Sequence, residues 1–380
     1  MNPDHTQTDK YLQEHLPSLD DVIFTKREFL LRSGMGFGAM SLASMFGVNP
    51  FLPSGAQAAP GKMASPLAAK QPHFKAKAKA VIHIFAEGGP SQVDTWDPKP
   101  ALAEYNDKTI PGHDGLAYGS PFKFEKKGKS GVECSEVFPK LGECIDDIAV
   151  IRSLWTDIPA HEVAQRFMNT GSLQLPKPSV GSWVVYGLGT ENQNMPGFVT
   201  IGSKPEWRQA SFLPGVFQGV NVNYSRNMNL DDVILNIRSQ FSPMERQRRQ
   251  LDLVKKLNEM HQVALQKDVQ LEARIEAFEI AFRMQTEATD AFDISKEPDE
   301  VKSLYGNSDM GSKMLVARRL VERGVRFVQV NAGGWDHHGG LETALRGRAA
   351  DIDTPAAALL KDLKQRGLLD STLVMWGGEF

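Results

Sequence analysis

Five short apolar runs stand out along the chain, at residues 80–86 (AVIHIFA), 148–153 (IAVIRS), 198–202 (FVTIG), 325–331 (VRFVQVN) and 372–376 (TLVMW), each bounded by polar residues, Gly or Pro. Apolar residues at successive positions, not alternate ones, suit a strand buried on both faces of a sheet. Between these runs lie helical patterns at 161–171 (HEVAQRFMNTG), 312–324 (SKMLVARRLVERG) and about 343–367, where Gly367 fits a helix C-cap. Strands alternating with helices predict an α/β fold whose sheet is largely parallel and joined by right-handed crossovers. No internal repeat interrupts that order.

Residues 243–289 break the rhythm. They form a long charged stretch with apolar positions at Leu253, Leu257, Leu265, Leu271, Ile275, Phe278 and Phe282, at mixed intervals of three, four, six and eight. That irregular stripe predicts a helix or helical hairpin on the flank of the sheet, inserted between core strands over about 243–292. His261, within it, reads as a surface residue.

The chain has 380 residues, 41% of them hydrophobic, enough for the core of one large domain or two ordinary ones. A net charge of −3 offers no basic face, so nucleic acid is not expected as a partner. The start of the chain is distinctive. A polar tail precedes FTKREFLLRSGMGFGAMSLASMFGV, in which Lys26 and Arg27 lead into a mildly apolar run, and Ala56-Gln57-Ala58 supplies the small residues of a cleavage site.

This arrangement resembles a twin-arginine export signal with Lys in place of the first Arg, and the alternative is an amphipathic first helix. The export reading makes residues 1–58 a tail and signal, residues 59–79 a basic, Pro-containing linker, and residues 80–380 the folded α/β domain. The expected partner is the twin-arginine export machinery, and the expected location the periplasm or cell envelope. The apolar run is too short for a stable membrane span, unless the uncleaved signal acts as an anchor. The two cysteines, Cys134 and Cys144, are ten positions apart, and an oxidising compartment would permit a disulfide between them without establishing one.

In an open α/β sheet, ligands gather beyond the carboxyl ends of the strands. Three predicted strands deliver chelating residues there. The first leads to EGGPSQVDTWDPKP, with Glu87, Ser91, Asp94 and Asp97 in a Gly- and Pro-rich loop that serves an ion or reads equally as a solvated turn. The VRFVQVN strand leads to AGGWDHHGG, where Asp336, His337 and His338 sit between two Gly pairs, and a carboxylate with two imidazoles is a ligand set for zinc, iron or manganese. The last strand delivers Glu379 behind two more glycines.

The stretches TKREFLLRSG, GGPSQVDTWDPKP, HEVAQRFMNTG, RLVERGVRFVQVNAGGWDHHGG and LLKDLKQRGLLDSTLVMWGGEF together resemble the exported bacterial proteins called domain of unknown function fifteen-oh-one, from about Thr25 onward. Through that family the chain is similar to the alkaline phosphatase and sulfatase superfamily. The resemblance implies a sheet with helices on both faces and one or two divalent metal ions, zinc, calcium, manganese or iron. It further implies hydrolysis of sulfate or phosphate esters on small molecules or glycans, including decorated polysaccharides.

By that resemblance Glu87 matches a first-strand acidic ligand, Asp336 the aspartate of an Asp/His ligand pair with His337 or His338 as its partner, and Glu379 a late acidic ligand. Asp94 is a further candidate ligand. Thr170-Gly171 leads back to His161 where such enzymes begin their catalytic helix with Cys, Ser or Thr. His161 then serves as metal ligand, general acid/base or phosphoryl acceptor, or marks an inactive descendant. Ser91 is a second candidate nucleophile. The alternative function is a non-catalytic envelope or carbohydrate-binding protein that keeps the fold.

In the resembled family the closing GGEF continues into Gly-Arg-Thr-Pro and a later Gly-Arg-Asp-His segment. The expectation is therefore of a domain cut short, with Glu379 frayed at an open edge and metal poorly bound by the 380-residue form.

Overall fold

The computed structural model describes residues 65–174, 177–229, 233, 243–264, 275, 277–283 and 290–379. The expected export signal at 1–58 lies outside the described residues. Within the expected linker, Leu67 is fully buried and its carbonyl accepts the Thr190 N–H at 2.8 Å.

In chain order the elements begin with strand β1 (Ala80–Phe85), the short helix α1 (Gln92–Thr95), the hairpin of β2 (Phe124–Lys127) and β3 (Val132–Ser135), and α2 (Pro139–Gly142). Next come α3 (His161–Thr170), α4 (Val180–Leu188), β4 (Phe198–Ile201), β5 (Val220–Val222) and α5 (Met244–Ala264). The last elements are α6 (Asp299–Tyr305), α7 (Asp309–Glu322), β6 (Phe327–Asn331), α8 (Leu341–Gln365) and β7 (Thr372–Gly377). Five strands form one sheet in the order β5-β4-β6-β1-β7, every neighbouring pair parallel. The expected α/β fold with a largely parallel sheet is what the chain adopts. The helical insertion is represented by α5 and by helical residues at 275 and 277–283.

The register sorts side chains onto two faces. Ile82, Ile84, Val328, Val330, Val199 and Ile201 form one apolar layer, buried to 1% exposure or less. Helix α7 packs on β1 and β6, and α8 packs on α7. The other face carries His83, Phe85, Phe327, Gln329, Phe198 and Thr200. Here α4 approaches so closely that a side chain at Gly181 would enter the Phe198 ring, and Asn169 of α3 accepts a hydrogen bond from Gln329 at 2.8 Å. This polar second layer is what lets α3 lie over the sheet with His161 at its leading end. Gly171 closes α3 at φ +66°, and Gly367 follows α8 at φ +68°, both in the left-handed region that ends helices.

A charge cluster locks the other side. Arg318, fully buried on α7, meets Glu297 at 2.7 Å, Glu322 at 2.6 Å and Asp362 of α8 at 2.9 Å. Buried ions persist only when paired in this way.

One expected strand is absent, and two open points take a definite form. Residues 148–153 form no strand, and Ile151 is 66% exposed, because the preceding Cys144 and Ile145 take the core position instead. The cysteines are free thiols, both buried. Glu379, expected at an open edge, is buried at 3% exposure. Among the described residues no helix is long and apolar enough to cross a membrane.

Candidate functional site

Because β1 lies between β6 and β7, the carboxyl ends of three strands are neighbours, and their following loops must share one space. Glycine makes the sharing possible. At Gly88, φ is +108°, and a Cβ there would lie 2.5 Å from the Asp336 amide nitrogen and 2.9 Å from that of Trp335. A Cβ at Gly378 would lie 2.7 Å from the Ala86 carbonyl and from Pro90 Cδ. The β1 and β6 loops are joined by the Trp335 N–H, which donates to the Glu87 carbonyl at 3.2 Å.

Into this junction α3 projects His161 and, one turn later, Gln165. Glu379 Oε1 receives three groups: the Gly88 N–H at 2.9 Å, His161 Nδ1 at 2.9 Å and Gln165 Nε2 at 3.2 Å. Its Oε2 is buried with no hydrogen-bond partner among the described residues. Those contacts are why the carboxylate is ordered where an open strand edge alone would leave it loose. The other nitrogen of His161, Nε2, lies 3.4 Å from Asp336 Oδ1, which in turn lies 2.8 Å from His338 Nε2. Side-chain exposure rises along this line, from 0% at Glu379 through 28% at His161 and 44% at Asp336 to 86% at His338. A carboxylate, an imidazole, a second carboxylate and a second imidazole thus run from the protein interior to solvent.

Glu87 sits to one side. Its Oε1 is 2.6 Å from Lys204 Nζ and its Oε2 accepts from Asn331 Nδ2 at 3.2 Å. Lys204 also donates to Gln165 Oε1 at 2.8 Å, and its ammonium lies 5.2 Å from the centre of the buried Trp207 ring. Gln165 therefore touches both halves of the site, as donor to Glu379 and acceptor from Lys204.

The structure brings together five of the predicted residues, Glu87, His161, Asp336, His338 and Glu379. Ser91 and Asp94 pair with each other instead, Ser91 Oγ donating to Asp94 Oδ2 at 2.6 Å across the first turn of α1. His337 is half-buried, and the imidazole that meets Asp336 is that of His338. Sequence reasoning passed over Lys204, Gln165 and Asn331. The strand-end rule finds two of them: Asn331 is the last residue of β6, and Lys204 lies three residues beyond β4. Gln165 is legible only once His161 is placed, as its i+4 neighbour on one helix face.

A tetrahedral divalent ion with bonds of about 2.0–2.1 Å holds its ligand atoms about 3.3 Å apart. The separation of His161 Nε2 from Asp336 Oδ1 matches that spacing, while Glu379 meets the opposite ring nitrogen, Nδ1, and so orients the imidazole from behind. Glu87 does not fit the same set, since each of its oxygens already has a partner. Among the described residues no three His, Cys, Asp or Glu side chains form a ready-made metal cage.

No curated protein and no solved structure matches the chain. The family described as "Protein of unknown function (DUF1501)" matches residues 78–380, which takes in the sheet and all five converging residues. On that match, covering well over half of its length, the chain belongs to the DUF1501 family.

Proposed function

We propose that the protein is an exported, metal-dependent hydrolase of sulfate or phosphate esters, including those on decorated polysaccharides. The observation that carries this reading is His161, held between Glu379 and Asp336 beyond the carboxyl ends of β7 and β6, the two parallel strands that flank β1. The likeness of the sequence motifs to the alkaline phosphatase and sulfatase superfamily supports the same chemistry. His161 Nε2 and Asp336 would hold one divalent ion, zinc, calcium, manganese or iron, with the rest of its shell from solvent or substrate, and when bound the ion would stabilise negative charge developing on ester oxygens.

The chain's own residues divide the remaining work. Glu379 fixes the His161 ring, because the Gly88 N–H and the Gln165 amide hold its Oε1 in place. His338, at the solvent-exposed end and 2.8 Å from Asp336, is placed to take and return a proton. Lys204 supplies positive charge for an anionic group. Residues 1–58 direct the chain through the twin-arginine machinery to the periplasm or envelope.

The test is elemental analysis of protein purified after export, with a hydrolysis screen on sulfate and phosphate esters comparing wild type with Asp336→Ala. Stoichiometric divalent metal and Asp336-dependent hydrolysis are expected. Metal-free protein without hydrolysis would end the proposal.

A second reading, a non-catalytic envelope or carbohydrate-binding protein, is favoured by Leu154 and Trp155, 78% and 83% exposed on the segment leading into α3. An exposed indole suits stacking on a sugar ring. On that reading His161→Ala leaves glycan binding intact while Trp155→Ala abolishes it.

A further inference from the structure

The family likeness points to Glu87 as a metal ligand, and the geometry disagrees. Both of its carboxylate oxygens are engaged, Oε1 by Lys204 Nζ at 2.6 Å and Oε2 by Asn331 Nδ2 at 3.2 Å. An ion bound at Oε1 would have to displace the ammonium or sit beside a like charge. Lys204 is not free to swing clear without loss, because Gln165 Oε1 accepts from it at 2.8 Å and its ammonium lies over the Trp207 ring. Asn331 is held as well, its Nδ2 also donating to the Gly202 carbonyl at 3.0 Å.

We infer that Glu87 is the seat of Lys204, not a metal ligand, and that Lys204 is the group that takes the tetrahedral oxyanion of the substrate. The centre then holds a single divalent ion, on the side of His161 Nε2 and Asp336. Two features suit Lys204 to this part. Its side chain is 43% exposed, so an anion can reach the ammonium from solvent, while Glu87, at 21%, holds it from behind. The second tie, to Gln165, is neutral, so one carboxylate alone offsets the lysine charge. Gln165 also donates to Glu379, which keeps the ammonium in fixed relation to the ion-binding side.

This assignment rests on the metal-dependent reading above. The test titrates manganese or zinc into metal-free exported protein by calorimetry, and separately follows orthophosphate and sulfate binding to the metal-loaded protein. Wild type, Glu87→Gln, Lys204→Met and Asp336→Asn are compared, with circular dichroism confirming that each is folded. Wild type should take one ion, and Glu87→Gln and Lys204→Met should keep its affinity within about threefold, while Asp336→Asn loses at least about tenfold, the range expected when coordination is disturbed. Lys204→Met should weaken orthophosphate and sulfate at least about tenfold, the loss typical of a charged hydrogen bond. A second ion in wild type, a tenfold loss of metal affinity in Glu87→Gln, or undiminished anion binding in Lys204→Met overturns the assignment and leaves the hydrolase reading standing. A wild type that binds no ion overturns both.

Discussion

His161 Nδ1 lies 2.9 Å from Glu379 Oε1, although 218 residues separate them. The same carboxylate oxygen holds the Gly88 amide and the Gln165 side chain, so Glu379 organises the start of α3 and the β1 loop at once. Removing its charge while keeping its shape isolates that role. Glu379→Gln is expected to fold, to lower metal affinity by at least about tenfold, and to reduce ester hydrolysis with it. Calorimetric metal titration checks this, and unchanged affinity would show that Glu379 is structural only.

Gly88 has no substitute in this backbone. With φ at +108° and a Cβ that would lie 2.5 Å from the Asp336 nitrogen, Gly88→Ala must either distort β1 or push the β6 loop away. A loss of about 2 kcal/mol or more in unfolding free energy is expected. The displaced loop carries Asp336, so metal affinity should fall in the same variant. Gly339→Ala, where a Cβ meets open space, serves as the control and should change neither.

His83, packed against the Phe85 and Phe327 rings in the middle of the sheet, titrates at about 4 because burial penalises its charged form. In the unfolded chain the same imidazole takes its proton near pH 6.5, so between those values the unfolded state binds more protons and stability rises with pH. As pH falls from 6.5 towards 4, His83 should cost about 3 kcal/mol, at about 1.4 kcal/mol per unit. Urea unfolding curves across that range should show this slope in wild type and lose it in His83→Leu.

Both thiols should be silent in the native protein. Burial and the nearby Asp353 carboxylate push Cys134 up to about 11, and burial also raises Cys144. Reaction needs the thiolate and access to it. Iodoacetamide at neutral pH should label neither cysteine until urea is added, and labelling of either in the folded state would contradict this structure.

The sheet was legible where strands are buried on both faces. The runs at 80–86, 198–202 and 325–331 became β1, β4 and β6 because their successive apolar residues are buried on both faces, whereas 372–376 became the edge strand β7, with Leu373 and Met375 exposed. β5, three residues long, and the β2–β3 hairpin, with its FEKK strand, carry too little apolar signal to be read this way. The run at 148–153 carries the signal without the packing. Helix α4 was missed because VGSWVVYGL is apolar with little periodicity and two glycines.

At the site, acids and imidazoles at strand ends were readable as chemistry, but their pairing was not. Spacing alone cannot say that Glu87 meets a lysine from β4's far end while Glu379 meets a histidine from α3. Strand order decides it, since β1 enters the sheet between β6 and β7.

The bond between Gly88 and Glu379 closes a span of 291 residues, nearly the whole folded part of the chain. Contacts so distant in sequence cannot form until the intervening chain has been synthesised and arranged. During synthesis, then, His161 emerges and enters its helix long before its buried carboxylate partner exists. The centre needs β7 and the Glu379 that follows it, so a chain made only as far as α3 has no means to orient its histidine.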